Sequence, residues 1–178
     1  MRPAGCDVRR RTGVTIRAIV KFPDPRLRLA AEPVSVFDQG LRELATDLLD
    51  TMRAAPGIGI TAPHVGVSRR LVVLQLEGPE SARAYVNPRI LWASEETIMH
   101  TEGSVSMPGM TDEIRRHAQV RIAYRDLDGA ERTEEAEGLL AVCHQHEIDQ
   151  LDGIFWIQRL SKLKRDRLAK RYEKLQRS

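Results

Sequence analysis

Apolar residues recur along residues 41–52 at the spacing of an amphipathic helix. Leucine, alanine and methionine fall at positions i, i+3, i+4, i+7, i+8 and i+11, and therefore lie on one face of about three helical turns. Shorter apolar runs, alternating or continuous, predict strands instead. Such runs lie at residues 16–21, 71–76, 84–86 and 120–125. The Asp128-Gly129 turn then predicts a hairpin whose returning strand covers residues 131–137.

A second helix is predicted at residues 138–151, ended by Gly153. One stripe of this helix combines apolar and polar side chains: Leu139, Cys143, His146 and Gln150. Because an unpaired buried polar group costs about 1–3 kcal/mol, the polar members of a buried stripe need partners. They would pair with each other, join a wider hydrogen-bonded network or bind a metal. His144 and His117 are expected at the surface.

A third helix is predicted at residues 160–177, and its composition is strongly basic. Its docking face would be formed by Leu160, Leu163, Leu168, Tyr172 and Leu175. Strands followed by a helix with polar residues and then by a terminal helix predict an α+β fold with mostly antiparallel strands. Residues 1–13 include three consecutive arginines and no apolar stretch. We expect them to be a basic, disordered tail that precedes a single domain at residues 14–178.

Composition narrows the class of protein. The 178 residues are 42% hydrophobic and 30% charged, with a formal net charge of +3, as is typical of one globular domain. No apolar run approaches the roughly 20 residues of a membrane span. The two cysteines, Cys6 and Cys143, are too few for a disulfide framework, so a cytoplasmic location is expected. The mild positive charge does not by itself indicate binding to nucleic acid, and neither a membrane nor specific DNA is an expected partner.

Candidate chemistry centres on residues 144–153, which read HQHEIDQLDG. A helical His-Glu-x-x-His run places two imidazoles on one face for a metal ion, and the glutamate beside them can act on a bound water. Here the run reads HEIDQ from His146 to Gln150, so a glutamine stands where the second histidine is expected. Residues 57–66 form a Gly-rich, mostly apolar segment in which the backbone can approach a ligand closely.

Three stretches resemble the ordered motifs of peptide deformylases, the metal hydrolases that remove the formyl group from N-terminal formyl-methionine. They are GIGITAPHVG at 57–66, EGSVS at 102–106 and QHEIDQLDG at 145–153. The resemblance extends over residues 16–177. It implies a peptide-deformylase-like fold, with antiparallel strands around a central helix that bears the site, and a C-terminal helix. It also implies formylated or other short peptides as ligands, and ribosome contact through the basic terminal helix.

Two of the three metal-ligand positions that the resemblance implies are substituted. The family has a cysteine where this chain has Ser104 and a second histidine where it has Gln150, so His146 is the ligand that remains. A hydroxyl that stays protonated near neutral pH and a neutral amide are poor ligands for iron or zinc, whereas such a site needs about three good protein ligands. We therefore expect the usual metal site to be lost or greatly weakened, with no cofactor in its place.

Glu147 and His64 are the candidate catalytic residues. The resemblance implies that Glu147 takes a proton from a metal-bound water and returns it to the leaving amine. His64 stands where the family has a glutamine that donates to the oxyanion. One alternative is therefore an active formyl-peptide or small-amide hydrolase, with iron, zinc or nickel held by His64, His146 and Glu147. Another is a non-catalytic protein that binds nascent peptides or the ribosome.

The resemblance finally implies a pocket for the side chain of the first peptide residue. Its candidate substrate-binding residues are Ile58, Gly59, His100, Gly103, Leu139, Val142 and Cys143. In the family the position of His100 is usually apolar. A histidine there leaves room for a ligand other than methionine.

Overall fold

The computed structural model describes residues 13–177 of the chain. These residues contain seven strands and three α-helices. The helices are α1 (Gln39–Ala54), α2 (Gly138–Leu151) and α3 (Lys162–Gln176). The strands are β1 (Gly59–Thr61), β2 (Leu71–Leu74), β3 (Arg83–Ala93), β4 (Thr97–Gly103), β5 (Thr111–His117), β6 (Gln119–Arg125) and β7 (Glu131–Glu137). Four 3-10 turns lie at Pro25–Arg28, Ala62–Val65, Pro79–Ser81 and Trp156–Arg159. The predicted tail lies, apart from Gly13, outside the described residues.

A five-stranded antiparallel sheet forms the centre of the fold, in the order β1-β2-β3-β6-β7. Every residue of β2 is buried. Leu71 and Val73 pack in the same core cluster as α1, whereas Val72 and Leu74 pack with α2, because successive side chains of a strand point to opposite faces. The sheet therefore lies between α1 and α2.

Helix α2 is buried on nearly all sides, since it contacts β1, β3 and β7 of the sheet and also β5. Strands β4 and β5 form a separate antiparallel hairpin, paired from Thr97↔His117 to Gly103↔Thr111. The chain leaves α2 through Gly153, whose φ of 79° and whose close approach to the backbone of Arg28 both require glycine. The α+β fold and the central position of α2 agree with the sequence prediction.

Helix α3 packs through fewer residues than its sequence predicts. Leu168 and Tyr172 are buried, as is Leu160 just before the helix. Leu163 and Leu175 are 61% and 51% exposed, so the prediction that they join the docking face is wrong. The apolar contact of α3 is confined to one narrow stripe, and the leucines at its two ends point away from it. No helix within residues 13–177 is long and apolar enough to cross a membrane.

The strand predictions hold for β2, β6, β7 and the start of β3, whereas β1 of the central sheet lies in the Gly-rich segment at residues 57–66, for which no strand is predicted. Residues 16–21 form no strand, although Val20 N–H donates to the carbonyl of His64. Strand β3 continues through Asn87, where φ is 51° and the register shifts. The side chain of Asn87 bonds both backbone groups of Val34. Strands β4 and β5 were not predicted, because their many polar residues obscure the alternation.

Candidate functional site

A cleft with a cavity volume of about 550 Å³ opens between β1, the β4–β5 hairpin and α2. It brings together almost all of the residues that the sequence singled out. Those lining it are Ile58, Gly59, His64, His100, Gly103, Ser104, Leu139, Val142, Cys143, His146 and Glu147. Gln150 does not line the cleft. Leu139 was expected on a buried stripe, but it is 41% exposed in the first turn of α2.

The imidazole of His64 is held in one tautomer by the strand that precedes it. The backbone N–H of Thr61 donates to Nδ1 of His64 at 3.0 Å, and the Thr61 hydroxyl lies 2.9 Å from the same nitrogen. Since Nδ1 accepts, the ring hydrogen sits on Nε2, which is buried and has no hydrogen-bond partner among the described residues. Burial, reinforced by the charges of His146 and Lys21, lowers the pKa of His64 to about 3. His64 is therefore a neutral N–H donor.

Glu147 lies deep in the cleft, against the backbone of β1. It is 5% exposed, and its Oε2 has no hydrogen-bond partner among the described residues. Burial is the largest cause that raises the pKa of this carboxyl, to about 7. Arg116, whose charge acts in the opposite direction, is engaged by two other carboxylates. Glu147 is thus able to donate or accept a proton near neutral pH.

Gly59 makes room for Glu147. A Cβ added at Gly59 would lie 2.5 Å from Oε1 of Glu147 and 2.9 Å from Cδ2 of Leu74. We expect Gly59→Ala to lower the free energy of unfolding by about 1–3 kcal/mol, because both neighbours are buried and must shift. Urea unfolding measures this, and Gly13→Ala, where nothing lies within 4 Å, serves as the control. Equal stability of the two variants would contradict the close packing.

His146 is oriented by a buried network of charges. Its Nδ1 lies 2.7 Å from Oε2 of Glu102, and Glu102 also accepts two hydrogen bonds from Arg116 at 2.7 and 2.8 Å. Burial acts to raise the pKa of Glu102, but hydrogen bonds from Arg116 and His146 outweigh it and lower the pKa to about 2. Because Glu102 is ionised, Nδ1 of His146 donates to it. Nε2 is therefore the ring nitrogen of His146 that this network leaves free.

The same network reaches the far end of α2. Arg116 donates to Asp149 at 2.6 Å, and Asp149 also accepts from Arg159 at 2.9 Å. Glu102 belongs to a motif recognised in the sequence, but neither its pairing nor the burial of Arg116 was foreseen. Arginine is almost never fully buried unless it is paired. The partners of Arg116 lie 14 and 33 residues away along the chain, so no local pattern indicates its burial.

The other two ligand positions of the family are occupied differently. The amide Nε2 of Gln150 donates to the backbone carbonyl of Leu27 at 2.8 Å. The hydroxyl oxygen of Ser104 accepts the backbone N–H of Ser106 at 3.1 Å. The hypothesis that His146 and Gln150 pair with each other is therefore wrong: each has a separate partner. Both polar residues of the stripe on α2 therefore have hydrogen-bond partners, as buried polar groups require.

These donors do not fit the metal ion that the family implies. One imidazole nitrogen remains, beside a neutral hydroxyl and an amide that bonds elsewhere. Within residues 13–177 no group of three or more His, Cys, Asp or Glu side chains is arranged to hold a metal ion. A site rebuilt on His64 would need a lone pair on its Nε2, and hence the tautomer that the N–H of Thr61 opposes.

The remaining histidines of α2 and β5 divide between core and surface. His144 was expected at the surface, but it is 1% exposed and packs edge-on against Tyr85 at 4.8 Å, with Glu134 3.6 Å away. The error arises because α2 is covered on both faces. His117 is exposed, as expected. Lys21, which no motif indicated, reaches the cleft and donates to the carbonyl of Val105 at 2.8 Å.

The fold and the cleft together define a class of protein. A buried helix presents adjacent His and Glu residues at the floor of a cleft, and a glycine-bearing strand and a two-stranded hairpin form the walls. The chain is thus an α+β protein whose central helix carries an adjacent histidine and glutamate into a cleft, with two of the three expected ligand positions substituted.

Comparison with known proteins identifies the family. The family model described as Polypeptide deformylase matches residues 16–166. A peptide deformylase-like protein of Brucella melitensis is 71% identical over 164 residues, which cover 92% of this chain and 100% of that protein. A peptide deformylase of Methylocella silvestris is 47% identical, covering 89% and 84%. The crystal structure of peptide deformylase from Ehrlichia chaffeensis aligns with a TM-score of 0.87 at 35% identity, covering 92% and 98%. The chain belongs to the polypeptide deformylase family.

Proposed function

We propose that this chain binds N-formylated peptides in its cleft but hydrolyses them far more slowly than a deformylase with a complete metal centre. The observation that carries this proposal is the hydrogen bond from Gln150 to the carbonyl of Leu27, which directs the side chain at a ligand position to a partner that does not line the cleft. A deformylase of Ehrlichia chaffeensis has been crystallised with actinonin, so in that relative the scaffold accepts a ligand.

Two buried groups of the cleft suit the formyl-amide end of a peptide. Among residues 13–177, Nε2–H of His64 is a donor without a partner, and Oε2 of Glu147 is a carboxyl oxygen without one. A formyl-amide offers a carbonyl oxygen to the first and an N–H to the second. Pairing would satisfy polar atoms that otherwise cost about 1–3 kcal/mol each. The cleft therefore supplies recognition from its own residues.

The donor set of the cleft favours slow hydrolysis. The chemistry that the family's metal supplies is to lower the pKa of water from 15.7 to about 7 and to polarise the carbonyl. Glu147 remains as a general base, with its pKa raised by burial to about 7, and His64 remains as an oxyanion donor. A carboxylate with a pKa of about 7 deprotonates ordinary water, whose pKa is about 15.7, far less readily than it deprotonates a metal-bound water. Slow or absent turnover follows from the donor set.

Metal analysis together with peptide binding tests the proposal. Tag-free protein purified without oxygen is analysed by plasma mass spectrometry, and binding of formyl-Met-Ala-Ser is measured by calorimetry beside formate release. We expect metal well below one ion per chain, measurable peptide binding that survives Glu147→Gln, and formate release near the background rate. Near-stoichiometric metal with rapid deformylation would overturn the proposal. If His64→Ala then abolished both, the rebuilt site would be supported.

The carboxyl of Glu147 should reveal its burial in the pH dependence of stability. Burial raises its pKa from 4.5 to about 7, so between these values the folded chain retains a proton that the unfolded chain releases. The contribution of this group to the free energy of unfolding is fully present below pH 4.5 and is lost as the pH rises through 7. The loss is about 3 kcal/mol. Glu147→Gln does not titrate and should become the more stable protein by this amount. Urea unfolding at both ends of the window measures it; a pH-independent difference would contradict it.

A second proposed function is ribosome contact through α3, within the cytoplasm. The observation that favours it is an exposed basic surface on α3 that includes Arg167, Lys170 and Arg171. We expect Arg167→Glu with Lys170→Glu to reduce co-sedimentation with ribosomes at least several-fold at low salt, since opposite charge steers association. Arg121→Glu with Arg125→Glu, which changes two exposed arginines of β6, is the control. Equal losses from both pairs would indicate non-specific attraction.

A further inference from the structure

We infer that two copies of this chain pair weakly through the free edge of β3, antiparallel to each other and centred on Trp92. The inference goes beyond the proposed function, because none of residues 89–96, which form this edge, lines the cleft. Peptide binding and self-association are therefore independent properties, and each is tested without the other.

The second half of β3 has a strand neighbour on one side only. Strand β2 pairs with β3 from Arg83 to Val86, whereas β6 pairs with it from Arg89 to Ala93. Within residues 13–177 no strand pairs with the other side of residues 89–93. The N–H of Ser94 donates to the carbonyl of Gln119 at 2.9 Å, so by the alternation of an antiparallel pair the backbone groups of Ala93 point away from β6. An unpaired edge of this kind is a template for another strand.

The side chains along this edge are apolar and exposed. Ile90, Leu91 and Trp92 are 39%, 46% and 49% exposed, so water reaches three consecutive large apolar residues. Edge strands commonly carry charges or proline that discourage pairing, but neither interrupts this run. Aromatic side chains that face each other across two strands are among the favourable cross-strand pairs. The edge therefore suits another apolar strand.

The charges at the two ends of the run indicate which strand that is. Arg89 lies at one end, and Glu95 and Glu96 follow at the other. All three are exposed, and within residues 13–177 none has an ion-pair partner. Because residues 89 and 95 are equally distant from Trp92 along the chain, an antiparallel copy centred on Trp92 places each Arg89 level with the other copy's Glu95. The edge is thus complementary to itself, and two-fold symmetry closes the assembly at two chains.

The association is expected to be weak. Three half-exposed side chains and a short run of backbone bury much less than the roughly 800 Å² per partner of a stable interface. The register shift between Ile90 and Trp92 also shortens the regular part of the edge. Small interfaces of this kind form transient complexes. A reversible equilibrium between monomer and dimer, governed by protein concentration, follows from this size.

Sedimentation velocity of the full chain at low salt, over roughly 10–500 µM, tests the inference. We expect the sedimentation coefficient of the parent to rise with concentration towards that of a dimer. Trp92→Lys should raise the dissociation constant roughly ten-fold or more, since it sets two like charges opposite each other. Leu163→Lys, which changes an exposed leucine of α3, is the matched control and should associate like the parent. Circular dichroism checks the folding of each variant.

Charge reversal tests the antiparallel arrangement and remains valid if lysine at position 92 impairs folding. Arg89→Glu should weaken association several-fold at low salt, because each new glutamate lies level with Glu95 of the other copy. Arg89→Glu with Glu95→Arg should restore it, because opposite charges meet again. A parent that stays monomeric at every concentration would overturn the inference. So would equal association of Trp92→Lys and Leu163→Lys, or a double reversal that associates no better than Arg89→Glu alone.

Discussion

Replacing Arg116 with methionine is expected to lower the free energy of unfolding by about 3–5 kcal/mol. Arg116 is 4% exposed and donates to both Glu102 and Asp149. Methionine fills a similar volume but leaves these buried carboxylates without that cation. Breaking a buried ion pair on one side costs far more than the pair contributes, because the remaining charge stays desolvated. His146, which donates to Glu102, should lose its fixed orientation as well.

Urea unfolding near neutral pH measures this loss, and Arg121→Met is the matched control. Arg121 also pairs with a glutamate, Glu135, but both side chains are at least half exposed. Exposed pairs contribute about 0–1 kcal/mol, so the control should unfold close to the parent. If Arg116→Met and Arg121→Met lower the free energy of unfolding by similar amounts, the buried network does not contribute more to stability than an exposed ion pair.

Restoring the two family residues, with Ser104→Cys and Gln150→His together, is expected to raise bound metal from well below one ion per chain to nearly one. The double variant would offer a thiolate and two imidazoles, a set that binds zinc or iron well. Ser104 and His146 both line the cleft. The change at position 150 sacrifices the bond to Leu27, a loss of about 1 kcal/mol that metal binding should exceed.

The matched control places the new thiol two residues away. Ser106→Cys with Gln150→His adds the same side chains, but Ser106 is fully buried and does not line the cleft. Plasma mass spectrometry of both variants, and of each single substitution, should show stoichiometric metal in the first pair alone. If the first pair also lacks metal, the cleft differs from its relatives in more than these two residues.

Local patterns were sufficient for the helices. The spacing at residues 41–52 lies within α1, and the segment predicted at 138–151 matches α2. Both follow from short-range periodicity, which a single sequence displays. Strands β4 and β5 were not recognisable, because each is held mainly by its partner and carries many polar side chains. The hairpin that walls the cleft was therefore found only in the folded chain.

The residue types at the site were evident from the sequence alone. The sequence itself gives serine at 104 and glutamine at 150. The motifs around these two residues indicated the family that the comparisons then showed. The same motifs pointed to a set of residues that share one cleft, apart from Gln150. Their catalytic and metal-binding roles remain predictions for the experiments above.

The hydrogen-bond partners of those residues were decided by the tertiary structure. Gln150 donates to Leu27, 123 residues away, and Arg116 bonds Asp149 across 33 residues. The backbone N–H of Thr61 is only three residues from His64, but it donates to the imidazole only because the 3-10 turn at Ala62–Val65 bends the ring back onto β1. A side chain's chemistry belongs to the sequence, but its tautomer, pKa and partner depend on which distant groups the fold brings within about 3 Å of it.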